Sequence, residues 1–245
     1  MKLNPARITF LLLIPFLAGA PNIQAQSVSG EELLHKSKNY HDPDGNWGNQ
    51  VLKLHIQEPR PQTPFRFSEL TLDLQTGAFN LGREYEVGSV VRIITESGEA
   101  KVLVNGSEDF SEEIKEELRL DASRNSGYRS FYRLMQGIPM SLDDSTIKEF
   151  GEVQEEVFAD EAVFAISIEL NEPMISGEWL FYISKEDYSV VALRFLHRDT
   201  EREDEMIVYD GIYEFENIRI PRFRHWYEAD SWKYSGSDII VKEID

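Results

Sequence analysis

Chemistry in a folded chain begins with side chains able to hold a proton, a metal or a nucleophile. The five histidines here are His35, His41, His55, His197 and His225, and no two stand at the spacing of paired metal ligands. His41 beside Asp42, and His225 close to Arg222 and Arg224, are the only candidates for acid–base catalysis. The chain has no cysteine, which removes thiol nucleophiles, disulfides and the lipid-modified cysteine of a bacterial lipoprotein. It carries neither a glycine-rich phosphate loop nor a nucleophile elbow. Carboxylates are so abundant that closeness in sequence says nothing about paired acids. These patterns assign no catalytic residue, no metal and no cofactor.

Two motifs bear on binding. In YHDPDGNW, Tyr40 to Trp47, the residues Asp42, Asp44 and Asn46 alternate like the start of a calcium loop. The glycine is displaced, however, and Lys53 stands where the closing glutamate belongs, so a turn from helix to strand is the simpler account. Arg219, Arg222 and Arg224 are conspicuous in so acidic a chain. Alternation places Arg222 and Arg224 on one strand face, where they can hold an anionic headgroup at a cavity mouth. The competing account is a ladder of cross-strand salt bridges with neighbouring glutamates.

These residues need elements to position them. From Trp179 to Tyr234 apolar and polar residues alternate with a period of two, separated by short polar breaks, which predicts an antiparallel meander with an aromatic face. Trp179, Phe181 and Ile183 share a side, as do Val191, Leu193 and Phe195, and Phe223, His225 and Tyr227. Upstream, Ser29 to Glu32 reads as a capping box that opens a helix ending before Pro43. Alternation predicts strands over 52–56, 70–74, 90–95 and 101–104, with a looser segment over 79–85. Residues 108–136 change to helical spacing, with Asn125-Ser126-Gly127 separating two helices and Gly137 as C-cap. A hairpin over 153–170 and a loop over 171–177 lead into the meander. The whole is expected to form one α+β domain over residues 26–245.

Residues 1–25 have the form of a secretory signal peptide: Lys2 and Arg7, an apolar run from Ile8 to Ala20, and a small residue at Ala25. No second apolar segment follows, so the mature chain is expected to be exported and to lack a transmembrane span. Without Lys2 and Arg7 the 25 basic residues become 23 against 44 acidic ones, a net charge of −21. A charge of that sign repels phosphate backbones, which excludes nucleic acid as a partner.

The order of helix, strands, central helices and further strands resembles the layout of the LolA/LolB-like lipoprotein carriers. The local text is similar as well: a strand Glu178 to Ile183, a Lys185-Glu186-Asp187 turn, and the step Glu216 to Pro221. More closely, the chain resembles a family of secreted bacterial envelope proteins built around a domain of unknown function. The matching motifs are YHDPDGNW, the Tyr128…Tyr132…GIPM helix and turn, and IRIPRFRHWY. The carrier resemblance implies an incomplete antiparallel barrel around helices, with an apolar cavity between them.

The leading expectation is a non-catalytic periplasmic or secreted binding protein whose apolar cavity takes an acyl chain, a lipid or a lipidated partner. Alternation selects Trp179, Phe181, Phe195, Phe223, Tyr227, Tyr132 and Met135 as its lining, with Arg222 and Arg224 at its mouth. An envelope structural or interaction module with a filled core stands second, and a hydrolase using His41 or His225 third. Ligand identity and oligomeric state lie beyond the sequence.

Overall fold

The computed structural model describes residues 28–198 and 200–243; the leader expected over residues 1–25 lies outside them. Helix α1 (Gly30–His41) starts as the capping box requires, with Ser29 Oγ accepting the Glu32 N–H at 3.2 Å. It ends at Asp42, whose two carboxylate oxygens accept the N–H groups of Asn46 (2.9 Å) and Trp47 (2.8 Å). The aspartate builds a turn, which is the simpler of the two accounts of that motif.

Strands β1 (Val51–Glu58), β2 (Arg66–Asp73), β3 (Phe79–Tyr85), β4 (Gly88–Ile94) and β5 (Ala100–Val104) follow as successive hairpins. Helices α2 (Glu112–Glu117) and α3 (Asn125–Gln136) form the central insert. Then come β6 (Ile147–Phe150), β7 (Gln154–Phe158), β8 (Glu161–Met174), β9 (Ser176–Ser184), β10 (Val190–Leu196), β11 (Glu205–Phe215), β12 (Ile218–Glu228) and β13 (Lys233–Glu243). The last strand returns to pair with β1, fusing both strand sets into one 13-stranded sheet in the order β5-β4-β3-β2-β1-β13-β12-β11-β10-β9-β8-β6, with β7 also on β8. Every pairing among the described residues is antiparallel, and the two edges do not meet. The fold is an open, curled half-barrel with α1 and α3 packed on its concave face.

Three local expectations change. Residues 79–85 form a regular strand, because Phe79 and Leu81 are inward partners of Leu72 and Leu70. Asn125-Ser126-Gly127 open α3 instead of separating two helices; the break falls at residues 118–121. A tertiary contact overrides the turn preference of that triplet: Asn125 is fully buried, and its amide donates to the carbonyls of Ile93 and Lys101 while its oxygen accepts from Arg92. The loop expected over 171–177 is mostly strand, turning at Ile175 with φ +64°.

The concave face carries the core. Leu33 and Leu34 of α1, with Leu134 and Met135 of α3, pack on Trp179, Phe181, Phe195 and Ile207. A second group joins Leu52, Leu54, Leu70, Leu72 and Phe79 to Tyr132 and Trp47. Burying each large side chain contributes about 1.5–3 kcal/mol, which in a chain without disulfides is the main source of stability. The face expected for β12 is corrected. Arg224 is buried and Trp226 stacks on Phe195 (ring centroids 5.8 Å apart), so these point inward. Phe223, His225 and Tyr227 alternate with them and take the convex side, Tyr227 lying at the edge of a separate small cluster with Tyr182 and Met206. Aromatics occupy both faces of β12, so ring content alone gave the wrong phase.

Gly137 caps α3 as expected, but with φ −95° and not in the left-handed region. Its role is space: an added Cβ would lie 2.5 Å from Trp47 Cζ2 and 2.8 Å from Ser141 Cβ. Gly137→Ala is therefore expected to cost about 1–3 kcal/mol by overpacking, read as a lower urea midpoint at unchanged slope. An unaltered midpoint would mean that Trp47 yields freely.

Candidate functional site

The inward stripe of the sheet changes character at one end of the curl. Along β1 it reads Leu52, Leu54, Ile56 and then Glu58; along β2, Leu72, Leu70, Ser68 and then Arg66; along β3, Phe79, Leu81 and then Arg83. Pairing aligns these polar positions, with Glu58 opposite Arg66, Ser68 opposite Arg83, and Arg224 between Tyr209 and Asp238. The polar row and the underside of α3 enclose a cavity of about 100 Å3. Phe131, Tyr132, Met135 and Gln136 form its roof; Arg60, Arg66, Arg83, Arg224, Glu58 and Asp238 supply its charges, beside Ile56 and Trp226.

Most of these groups are mutually satisfied. Arg66 grips Glu58 with two parallel bonds, Nε to Oε2 at 2.9 Å and Nη2 to Oε1 at 2.7 Å, and Ser68 donates to Oε2 as well. Arg83 donates to Ser68 Oγ (2.8 Å) and to the Tyr132 hydroxyl (2.5 Å), with Glu58 3.7 Å away. Burial alone would raise the Glu58 carboxyl, but the arginines and Ser68 together hold it below its ordinary value. Burial pushes the Tyr132 hydroxyl up to about 12 despite the Arg83 charge. Asp238 accepts from Arg60 (2.5 Å) and from Trp226 Nε1 (2.8 Å).

Arg224 differs. It is 1% exposed, and its three guanidinium nitrogens have no hydrogen-bond partner among the described residues. Burial pulls its pKa down, opposed by the Tyr209 hydroxyl and by the nearby Asp238 charge. The Tyr209 hydroxyl across the ladder and the Gln136 amide oxygen in the cavity roof are also buried without partners. Outward, past Arg66, Arg83, Phe131 and Tyr132, an open groove of about 680 Å3 runs along the first turns of α3, lined further by Arg124, Gly127 and Tyr128.

Of the residues expected to bind, Tyr132, Met135 and Arg224 meet at this cavity. Trp179, Phe181 and Phe195 point inward but are fully buried under the helices, so the space expected beside them is core. Phe223 and Tyr227 lie on the other face. Arg222 parts from Arg224: it is exposed, donates to the Ile240 carbonyl (3.2 Å) and sits over the Phe223 ring. His225 is bonded to Ser237 Oγ at 2.7 Å and stacked on Phe223. His41 joins α1 to the sheet, Nδ1 donating to the Arg219 carbonyl (2.7 Å) and Nε2 accepting the Val190 N–H (3.2 Å). Both nitrogens serve backbone groups. Sequence reasoning missed Glu58, Arg60, Arg66, Arg83, Gln136 and Asp238. The readable signal was a charged residue in phase with the apolar stripe of β1, β2 and β3.

Residues 7–241 match the model of DUF6503, described as a family of unknown function. No protein of curated function matches the chain. Among solved structures, a LolA superfamily protein from Nitrosomonas europaea superposes with a TM-score of 0.50 at 9% identity, covering 90% of this chain and 96% of that one. At that identity the likeness shows the fold. A domain described in terms of outer membrane lipoprotein sorting, from Vibrio parahaemolyticus, reaches 0.44 at 13% identity over 87% of this chain and 92% of that one. A DUF1329 family protein from Desulfovibrio piger reaches 0.44 at 9% identity over 86% and 90%.

Burial lowers the His41 pKa to about 4, against 6.5 in an unfolded chain. Between those values the unfolded chain takes up a proton that the folded one refuses. Stability is thus lost as pH falls from about 6.5 toward 4, by roughly 3 kcal/mol in full and about 2 by pH 5. Urea unfolding at pH 7 and pH 5 should show the native chain losing about that much more than His41→Gln. Equal losses would remove His41 from the pH response.

Proposed function

The chain belongs to the DUF6503 family of unknown function, and from that premise we propose that it is a non-catalytic binding protein of the bacterial envelope, taking an amphiphile beneath α3. The ligand class is an acyl chain, a lipid or the lipidated end of a partner. The observation that supports this reading is the lining of the groove of about 680 Å3: apolar rings of Tyr128, Phe131 and Tyr132 on the helix side, guanidinium groups of Arg66, Arg83 and Arg124 around them. An apolar wall with a few convergent polar groups suits a molecule with a greasy part and a polar head. The shared fold with a LolA superfamily protein is consistent with it, as is the leader expected over residues 1–25. Among the described residues no helix is long and apolar enough to cross a membrane.

The second reading, an envelope interaction module without a small ligand, draws on the fully buried Trp179, Phe181 and Phe195, which leave the deep concavity packed. The hydrolase reading is weakened by the engagement of both His41 nitrogens with backbone groups.

Gly127 offers a way to separate the first two. A Cβ there meets nothing within 4 Å and the residue lines the groove, so Gly127→Trp is expected to occupy the groove with its ring, and it gains helix propensity. The neutral probe N-phenyl-1-naphthylamine is expected to brighten with the native protein and to bind Gly127→Trp about tenfold more weakly, with no loss of thermal stability. Native mass spectrometry of protein from its own host should show a co-purifying amphiphile. Bare masses in repeated preparations, together with no probe enhancement, would leave the module reading standing.

A further inference from the structure

The cavity under α3 has a charge balance that the rest of the protein does not share. The chain carries a formal charge of −19, yet four arginines and only two carboxylates converge there, leaving two positive charges in a space of about 100 Å3. Both carboxylates are already engaged: Glu58 by Arg66, Ser68 and Arg83, and Asp238 by Arg60 and Trp226. Arg224 feels the Asp238 charge but donates no hydrogen bond to it. An arginine keeps its proton in proteins, and burying a charge without a partner is costly enough that such groups are found paired.

We propose that Arg224 is the seat for an oxyanion, the carboxylate or phosphate group of the ligand, which arrives from the groove that shares Arg66, Arg83, Phe131 and Tyr132 with the cavity and completes the hydrogen bonding of the guanidinium. The proposal rests on the amphiphile reading above for the source of that group, but not for the chemistry of the seat. A guanidinium fork presents parallel N–H donors that match two oxygens of either group. Two further buried polar groups face the same need. The Tyr209 hydroxyl, paired across the ladder with Arg224, is free to donate. Gln136 has an unpartnered amide oxygen, and a half-turn of that amide presents two N–H donors instead. The cavity is large enough for an oxyanion head and too small for an acyl chain, so the apolar part stays in the groove outside.

Calorimetric titration with octanoate, octyl phosphate, octanol and inorganic phosphate tests this. On the native protein the two anionic amphiphiles should bind on the order of tenfold to a hundredfold more tightly than octanol, the effect of one charge-assisted contact. That preference should vanish in Arg224→Met. The variant, freed of an unpaired buried charge, should melt no lower than the native protein without ligand. Equal affinity for octanol and octyl phosphate would overturn the seat and leave the amphiphile reading intact. Inorganic phosphate binding that Arg224→Met abolishes, with no gain from the octyl chain, would support the seat and remove the amphiphile. No binding by any of the four would end both. A melting point well below native for Arg224→Met would also overturn the seat, since it would show that the protein's own groups hold the guanidinium.

Discussion

An open curled sheet has no second sheet against which to bury its inner face, so the chain must supply the cover from its own helices. Everything else in this fold follows from that constraint. The stripe of Leu, Ile and aromatic side chains along β1–β3 and β8–β12 is matched by Leu33 and Leu34 of α1 and by Tyr132, Leu134 and Met135 of α3. Apolar burial gives the energy, but it is indifferent to how a helix is oriented. Orientation comes from a few directional ties: His41 between the Arg219 carbonyl and the Val190 N–H, and Asn125 bonding Arg92 and two strand carbonyls. Because these groups are buried, breaking either tie leaves polar atoms stranded, so each fixes its helix more firmly than its net energy suggests.

The same cover leaves a polar rim. Two short helices do not reach all of the concave face, and where α3 passes over β1–β3, β12 and β13 the inward positions become Glu58, Arg66, Arg83, Arg224 and Asp238. Three of the arginines there are hydrogen-bonded by protein groups in good geometry, Arg60 and Arg66 to carboxylates and Arg83 to two hydroxyls. One is not. A fold that satisfies its neighbours so thoroughly and leaves a single guanidinium without a bond concentrates its electrostatic cost at one point, where binding sites depart from what stability alone would select.

The architecture was legible because it rests on periodicity. Alternation and short polar breaks predicted the meander, its antiparallel pairing and the helical insert, and the capping box set the start of α1. Period two, however, leaves open which phase is inward. On β12, Phe223, His225 and Tyr227 offered more rings than Arg224 and Trp226, and the rings face outward. Hydrophobicity is a poor guide where a charge is buried, and Arg224 shares the inward phase of Trp226. The cavity itself was partly hidden for another reason. Its charges come from strands β1, β2, β3, β12 and β13, and only the return of β13 to β1 brings the two halves together. That pairing spans nearly the whole described chain and leaves no mark in any local stretch.

The contrast between a strongly acidic chain and a cationic cavity bears on how an anion would be selected. At physiological ionic strength charges separated by more than about 8 Å are largely screened, so the surface carboxylates neither guide an anion inward nor hold it off strongly at close range. Selectivity then falls to contacts within the cavity, where water is scarce and each hydrogen bond to a charged group weighs more. Glu58 and Asp238 contribute by position: each neutralises a flanking arginine and so prevents the row from becoming a diffuse basic patch that attracts any polyanion. What remains is a directed pair of donors on one immobilised side chain, roofed by the α3 residues Tyr132 and Gln136. Such a site would discriminate by geometry, and the open groove of rings beside it would do so by apolar area.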